Sequence, residues 1–303
     1  MNLAVTIGSV LFANPVTVAS GTFGYVEKYF HVREIKKFGA LIPKTVTLHA
    51  REGNPPPRIY ETASGMINAI GIENPGADVF IRDQLPLLRK IGIPLIISIL
   101  GYSDEEFVAL TEKFQTQQGV RALELNLSCP NLGQKRVAAQ DPQATERIVR
   151  KVKQVASVPI LAKLSPNVTD ITEIARAAEA GGADGICLIN TLTAMAVDIQ
   201  TRRPVLGNVT GGLSGPAIKP AALNMVYQAA RCVKIPVIGM GGIMTAEDAL
   251  EFMIAGATMV AVGTANFITP RAPLEVIDGI KAYMRQNKIE DVREMIGTIK
   301  MGS

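Results

Sequence analysis

The sequence predicts an α/β fold, a single (β/α)8 barrel with long loops at its C-terminal face. Three observations predict it. Short apolar, β-rich runs recur eight times; patterns of helical period separate them; and no Ser/Pro/Gly-rich linker interrupts the regular spacing between residues 92 and 265. A chain of 303 residues could hold two average domains, but α/β barrels commonly use 250 or more as one unit, so one domain over residues 1–303 is expected.

Taken in order, "MNLAVTIGSVLFANP" predicts a hairpin turning at Gly8-Ser9, without the basic start and small-residue cleavage site of an export signal. The eight strands are expected in "VTVAS", "ALIPKTVT", "PLIISIL", "ALELNLS", "PILAKLS", "GICLIN", "PVIGMGG" and "MVAVGTA". Such near-continuous apolar runs suit parallel strands buried on both faces, and eight of them suit closure into a barrel. Helix starts are marked by Ser103 with Glu106, by Asp141-Pro142, and by Thr245 with Asp248. Residues 48–77 and 191–218 are too long for simple turns. Both leave C-terminal strand ends, where barrel active sites lie, and are expected to work as lids or binding loops.

Hydrophobic residues make up 48% and charged residues 19%, enough apolar material for a large core and too little charge for disorder. The net charge of +4 is spread out with no basic run, which argues against nucleic acid or an anionic membrane as partner. The longest apolar runs are far short of a membrane helix. The three cysteines, Cys129, Cys187 and Cys232, have no CxxC or metal-ligand spacing, so neither a disulfide framework nor an iron–sulfur cluster is expected on this chain; a reducing cytoplasm suits it.

At the strand exits, polar residues and glycines replace the apolar interior: Ser20-Gly21, Lys44-Thr45, Ser98, Asn126, Lys163, Asn190-Thr191, Gly241-Gly242 and Gly263-Thr264. Converging on one face of a barrel, they predict a polar pocket. Glycines at the seventh and eighth exits, "GMGGIMTAEDAL" and "VGTANF", occupy the place where this fold holds a phosphate, or are only tight turns. Lys44 and Lys163 either point into the pocket, where they would stabilise an anion, or snorkel to solvent. Asn68, Asn74, Asn126, Asn131 and Asn190 offer donors and acceptors suited to a ring bearing imide groups and a carboxylate, although asparagine is also a common turn residue. His31 and His49 lack nearby partners in sequence. Cys129, where an apolar strand meets a Pro-Asn turn, is then either a half-buried structural thiol or the best-placed proton acceptor.

The stretches "NPVTVASGTFGY", "PKTVT", "NAIGIENPG", "ELNLSCPN", "INTLTAMAVDIQTRRPVLGNVTGGLSGPAIKP", "IGMGGI" and "VGTA", in this order over nearly the whole chain, resemble class 1 dihydroorotate dehydrogenases, specifically class 1B catalytic subunits. The resemblance implies a barrel that holds FMN and oxidises dihydroorotate to orotate in pyrimidine (UMP) synthesis, with Cys129 as the base. It implies orotate contacts from Lys44, Asn68, Ala69, Ile70, Gly71, Ile72, Asn126, Asn190 and Thr191. FMN would be held by Ser20, Lys44, Thr45, Asn126, Lys163, Ile189, Gly215, Gly241, Gly242, Gly263 and Thr264. Where members often carry asparagine at the third exit this chain has Ser98, which leaves a flavin contact there open. The resemblance also implies a homodimer core joined to two electron-transfer subunits that carry FAD and a [2Fe–2S] cluster and reduce NAD. A class 1A homodimer reducing fumarate is the alternative; a tRNA-dihydrouridine synthase would want a basic RNA-binding face and a helical extension beyond "PLEVIDGIKAYMRQN".

Overall fold

The computed structural model describes residues 1–24, 32–128 and 138–302. Its centre is an eight-stranded parallel sheet made of β1 (Val16–Val18), β2 (Val46–Thr47), β3 (Leu95–Leu100), β4 (Val120–Asn126), β5 (Ile160–Lys163), β6 (Gly185–Leu188), β7 (Val237–Met240) and β8 (Met259–Val262). Each of the eight apolar runs supplies one strand. Neighbours follow chain order, with β8 also paired to β1 through Val262↔Val18. The last gap is closed just before β2, where Gly39 N–H donates to Val16 O at 2.9 Å and Thr17 Oγ1 donates to Ala40 O at 3.0 Å. The sheet is therefore a closed barrel with no free edge, and its strands are almost wholly buried.

Helical segments follow the strands and cover the outside, among them Asp104–Gln115, Pro142–Val155, Ile171–Ala180, Lys219–Cys232, Ala246–Ala255 and Ala272–Gln286. The expected start signals act as caps. Ser103 accepts from Glu106 N–H, Asp141 accepts from Gln143 and Ala144 N–H ahead of Pro142, and Thr245 with Asp248 forms a complete capping box. At the first of these the box is incomplete, because the Glu106 carboxylate takes the Tyr102 N–H instead.

Below the barrel, Val5–Ile7 and Val10–Phe12 form the hairpin expected at Gly8-Ser9, with Ile7 opposite Val10. Its alternate residues Val5, Ile7, Val10 and Phe12 are buried and shut the N-terminal end. Above the barrel the two long connections are not irregular loops. Ile59–Thr62 and Gly65–Asn68 from the first join Leu192–Ala194 and Gly211–Ser214 from the second in a four-stranded antiparallel sheet, with Asn68 opposite Gly212. This roof crosses the mouth from β2 to β6.

No helix among the described residues is long and apolar enough to cross a membrane.

Candidate active site

Between the roof and the C-terminal strand ends lies a cavity of about 430 Å³. Its lining includes Ser20, Lys44, Thr45, Asn68, Ile70, Gly71, Ile72, Asn126, Lys163, Ile189, Asn190, Thr191, Gly215, Gly241, Gly242, Gly263 and Thr264. Residues separated by more than 200 positions thus meet because each stands where its strand leaves the barrel or where the roof turns down.

The two lysines sit differently. Lys163, at the end of β5, is 4% exposed; its Nζ donates to Ser20 Oγ at 3.1 Å and lies 3.8 Å from Glu124 Oε1. Lys44 is half-buried, and burial is the largest influence on its pKa, pulling it below the ordinary lysine value; Glu73 opposes that shift and Arg58 reinforces it. An ammonium that has lost water and lacks a close carboxylate is a receptor for an anion.

The asparagines divide into two groups. Asn190 Nδ2 donates to Ser128 Oγ at 2.9 Å and its Oδ1 accepts from Thr191 N–H, so the amide is oriented at the rim. Asn126 Oδ1 accepts from Ser128 N–H, and Asn68 Nδ2 reaches Gly212 O at 3.3 Å across the roof. Asn74, by contrast, is buried and spent on structure: its Nδ2 donates to Thr47 Oγ1 and Ile72 O, while its Oδ1 accepts from Thr47 and Gly76 N–H. It pins the first long connection and does not line the cavity.

The glycine end has the shape of an anion cradle. A Cβ on Gly242 would stand 2.7 Å from Lys219 Cβ and 2.9 Å from Gly215 O, and its φ of +77° is open to glycine and few others. Thr264 Oγ1 donates to Ser214 Oγ at 2.8 Å, tying the eighth exit to the roof. Lys219 itself is turned away into Asp248 and Glu251, so an anion here would be held mainly by backbone.

Two expected positions stand differently. Ala69 packs with Ile67 and Leu206 and lines, with Asn68, Ser128, Asn190 and Thr191, a pocket that adjoins the cavity and shares those four residues with it. Its backbone is also engaged, its N–H with Arg58 O and its carbonyl with Asn54 Nδ2. Ser98 is fully buried below the cavity and bonded to Thr45 Oγ1 at 2.8 Å. Cys129, Asn131 and His31 lie outside the described residues. Sequence reasoning passed over Ser128, Met66, Ser214 and Phe267, all on the lining, and Glu124, which a single acidic letter inside the apolar run "ALELNLS" could have flagged.

The geometry can be set beside known proteins. The family model described as "Dihydroorotate dehydrogenase" matches residues 2–284. The chain is 50% identical over 299 residues, 98% of each chain, to the "Dihydroorotate dehydrogenase B (NAD(+)), catalytic subunit" of Geotalea uraniireducens. Proteins of the same description from Thermoanaerobacter pseudethanolicus and Lachnoclostridium phytofermentans are 50% and 52% identical over 99% of this chain and 100% of theirs.

Proposed function

The chain belongs to the dihydroorotate dehydrogenase family, and from that premise we propose that it oxidises dihydroorotate to orotate with FMN in the barrel mouth, as the catalytic subunit of an NAD-linked enzyme. The observation that carries this reading is the meeting, in one cavity, of a glycine cradle for a phosphate, the half-buried Lys44 for negative charge, Lys163 at the floor and three amides for a polar ring.

The residues fit FMN. Gly215, Gly241, Gly242, Gly263 and Thr264 would take its phosphate, since side chains at Gly241 or Gly242 would collide with the protein and fill the cradle. Ser20, Thr45, Asn126, Lys163 and Ile189 would bear on the flavin. When bound, FMN supplies the acceptor for the hydride that leaves dihydroorotate.

The protein's own part is to hold the substrate and take its proton. Lys44 would pair with the substrate carboxylate, and that contact restores the solvation which burial removed. Asn68 and Asn190, fixed from the roof and from Ser128, would bond the ring amides, with Asn126 and Thr191 beside them and the Ile70-Gly71-Ile72 turn as a wall. Cys129 follows Ser128 directly and would remove the proton from the carbon next to the hydride donor, so that one proton and one hydride leave and the ring double bond forms. The roof would shield the bound ring from bulk water.

The relatives' description as an NAD(+)-linked catalytic subunit supports a partner that carries electrons onward, and it favours this over fumarate reduction. From the resemblance to class 1B catalytic subunits we assign FAD and a [2Fe–2S] cluster to that partner, in a heterotetramer of two subunits of each kind; the three cysteines here lack cluster spacing. The test is an anaerobic absorbance spectrum of the purified protein before and after dihydroorotate. Bleaching of a bound flavin, followed by NADH formation only when the co-expressed partner is present, is expected. A bound FMN that stays oxidised would overturn the substrate assignment.

A further inference from the structure

Among the described residues the buried side chains include only two charged ones, Lys163 and Glu124. Lys163 has a place in the cavity; Glu124 has none. It lies on β4 two residues before Asn126, hence on the same inward face one layer below the cavity floor. It is fully buried, and beyond the neighbouring Cys187 thiol its carboxylate has no hydrogen-bond partner, a costly arrangement unless a charge compensates it. The compensating charge is Lys163, whose Nζ is 3.8 Å from Oε1, beyond hydrogen-bond range but within reach of an ion pair. Among the described residues no other charged side chain is buried with them. Ser98, in register with Glu124, is bonded to Thr45, and the fully buried Cys187 thiol is pushed well above its ordinary pKa, by burial first and by Glu124 second, so it stays uncharged.

We propose that Glu124 is a positioning residue for Lys163: from beneath the cavity floor it draws the ammonium against Ser20 and neutralises it, and the pair thereby sets the redox balance of the bound flavin. This rests on the cavity being the FMN site. A bare ammonium at the flavin would favour the reduced ring, which carries negative charge, and would hold its electrons back. A neutralised one keeps the ring anchored while leaving it a donor to the next carrier. An enzyme that passes electrons to a second subunit needs the latter.

The experiment compares FMN midpoint potentials and oxidised-FMN affinities of the holoenzyme, wild type and Glu124→Gln, under anaerobic dye equilibration. Glu124→Gln keeps the volume and removes the charge. Its ratio of reduced to oxidised FMN affinity should rise at least tenfold, about 30 mV upward for a two-electron couple. Glu124→Asp, which keeps the charge, should restore the wild-type ratio to within about threefold, which a purely steric role would not produce. Lys163→Met removes the ammonium through which Glu124 acts, so in that background Glu124→Gln should shift the ratio far less than it does in the wild type. If Glu124→Gln does not fold, Glu124→Leu, a neutral replacement of similar size, is measured instead: a rise of at least tenfold in the same ratio upholds the proposal, and an unshifted potential overturns it. An unshifted Glu124→Gln in an otherwise FMN-loaded, dihydroorotate-reducible enzyme removes the role of Glu124 only, whereas a wild-type chain that takes up no FMN removes the premise.

Discussion

Replacing Gly263 with alanine separates a phosphate cradle from a mere tight turn. A Cβ there would meet the protein no closer than 3.6 Å, at Ala19, with Thr22 Cγ2 next at 3.9 Å, and Gly263 does not have the positive φ that disfavours alanine. Ala19 and Thr22 line the cavity as Gly263 does, so the methyl occupies cavity space and strains nothing. The ligand-free variant should be as stable as the parent, or gain roughly 0.4–1 kcal/mol from a less flexible unfolded chain. Its FMN affinity should fall, because a methyl at the amide displaces a charge-assisted hydrogen bond to phosphate of about 1.5–3 kcal/mol, which is about 10- to 150-fold in Kd. Flavin fluorescence quenching gives the Kd, and thermal melting of the apoprotein gives the stability. Gly242→Ala could not make the distinction, since its Cβ would lie 2.7 Å from Lys219 Cβ at a φ of +77° and would damage fold and cradle together. A Gly263→Ala protein with normal stability and FMN affinity within twofold would refute the assignment of the phosphate to the eighth exit.

Cys129→Ala should keep its flavin spectrum but lose about 10²- to 10⁴-fold in the rate of flavin reduction by dihydroorotate, the usual worth of a general base; stopped-flow absorbance measures it, and an undiminished rate would remove Cys129 from the chemistry. Lys44 supplies a pH dependence. Its ligand-free pKa is below the ordinary 10.5 and an anion binds the protonated form, so orotate affinity is full below that lowered pKa and falls about tenfold per pH unit above it. The decline therefore begins earlier than for an exposed lysine, and Lys44→Arg should abolish it in calorimetric titrations up to about pH 11. Thr245→Ala removes the capping box of helix Ala246–Ala255 and should cost about 1 kcal/mol, seen as a Tm lower by about 2 °C with FMN affinity little changed.

Much of this architecture is legible in the letters. Each barrel strand is a short apolar run bounded by a polar or glycine exit, and parallel strands buried on both faces leave few other patterns open. Local chemistry also announces itself, in the caps at Asp141 and Thr245 and in the Gly8-Ser9 turn. What escapes is whatever depends on distant partners. The roof strands are short and, in the second connection, glycine-rich, with no strong alternation, and they become strands only by pairing with each other. The different fates of Asn68 and Asn74 turn on which distant partners each amide meets. Glu124 shows only as an oddity in an apolar run until Lys163 is placed beside it.

The roof has a consequence for how the molecule comes into being. Its central pairing joins Asn68 to Gly212, 144 residues apart, and the barrel beneath it closes only when β8 reaches β1. Such pairings incur their loop-closure entropy before any contact repays it, so they form late and nearly together. No fragment shorter than residues 19–267 contains the whole lining of the proposed cofactor pocket: a growing polypeptide must extend past Thr264 before the glycine exits, the lysines and the roof coexist. Flavin capture is then a report that the whole barrel has been completed, and partly made chains have nothing with which to bind it.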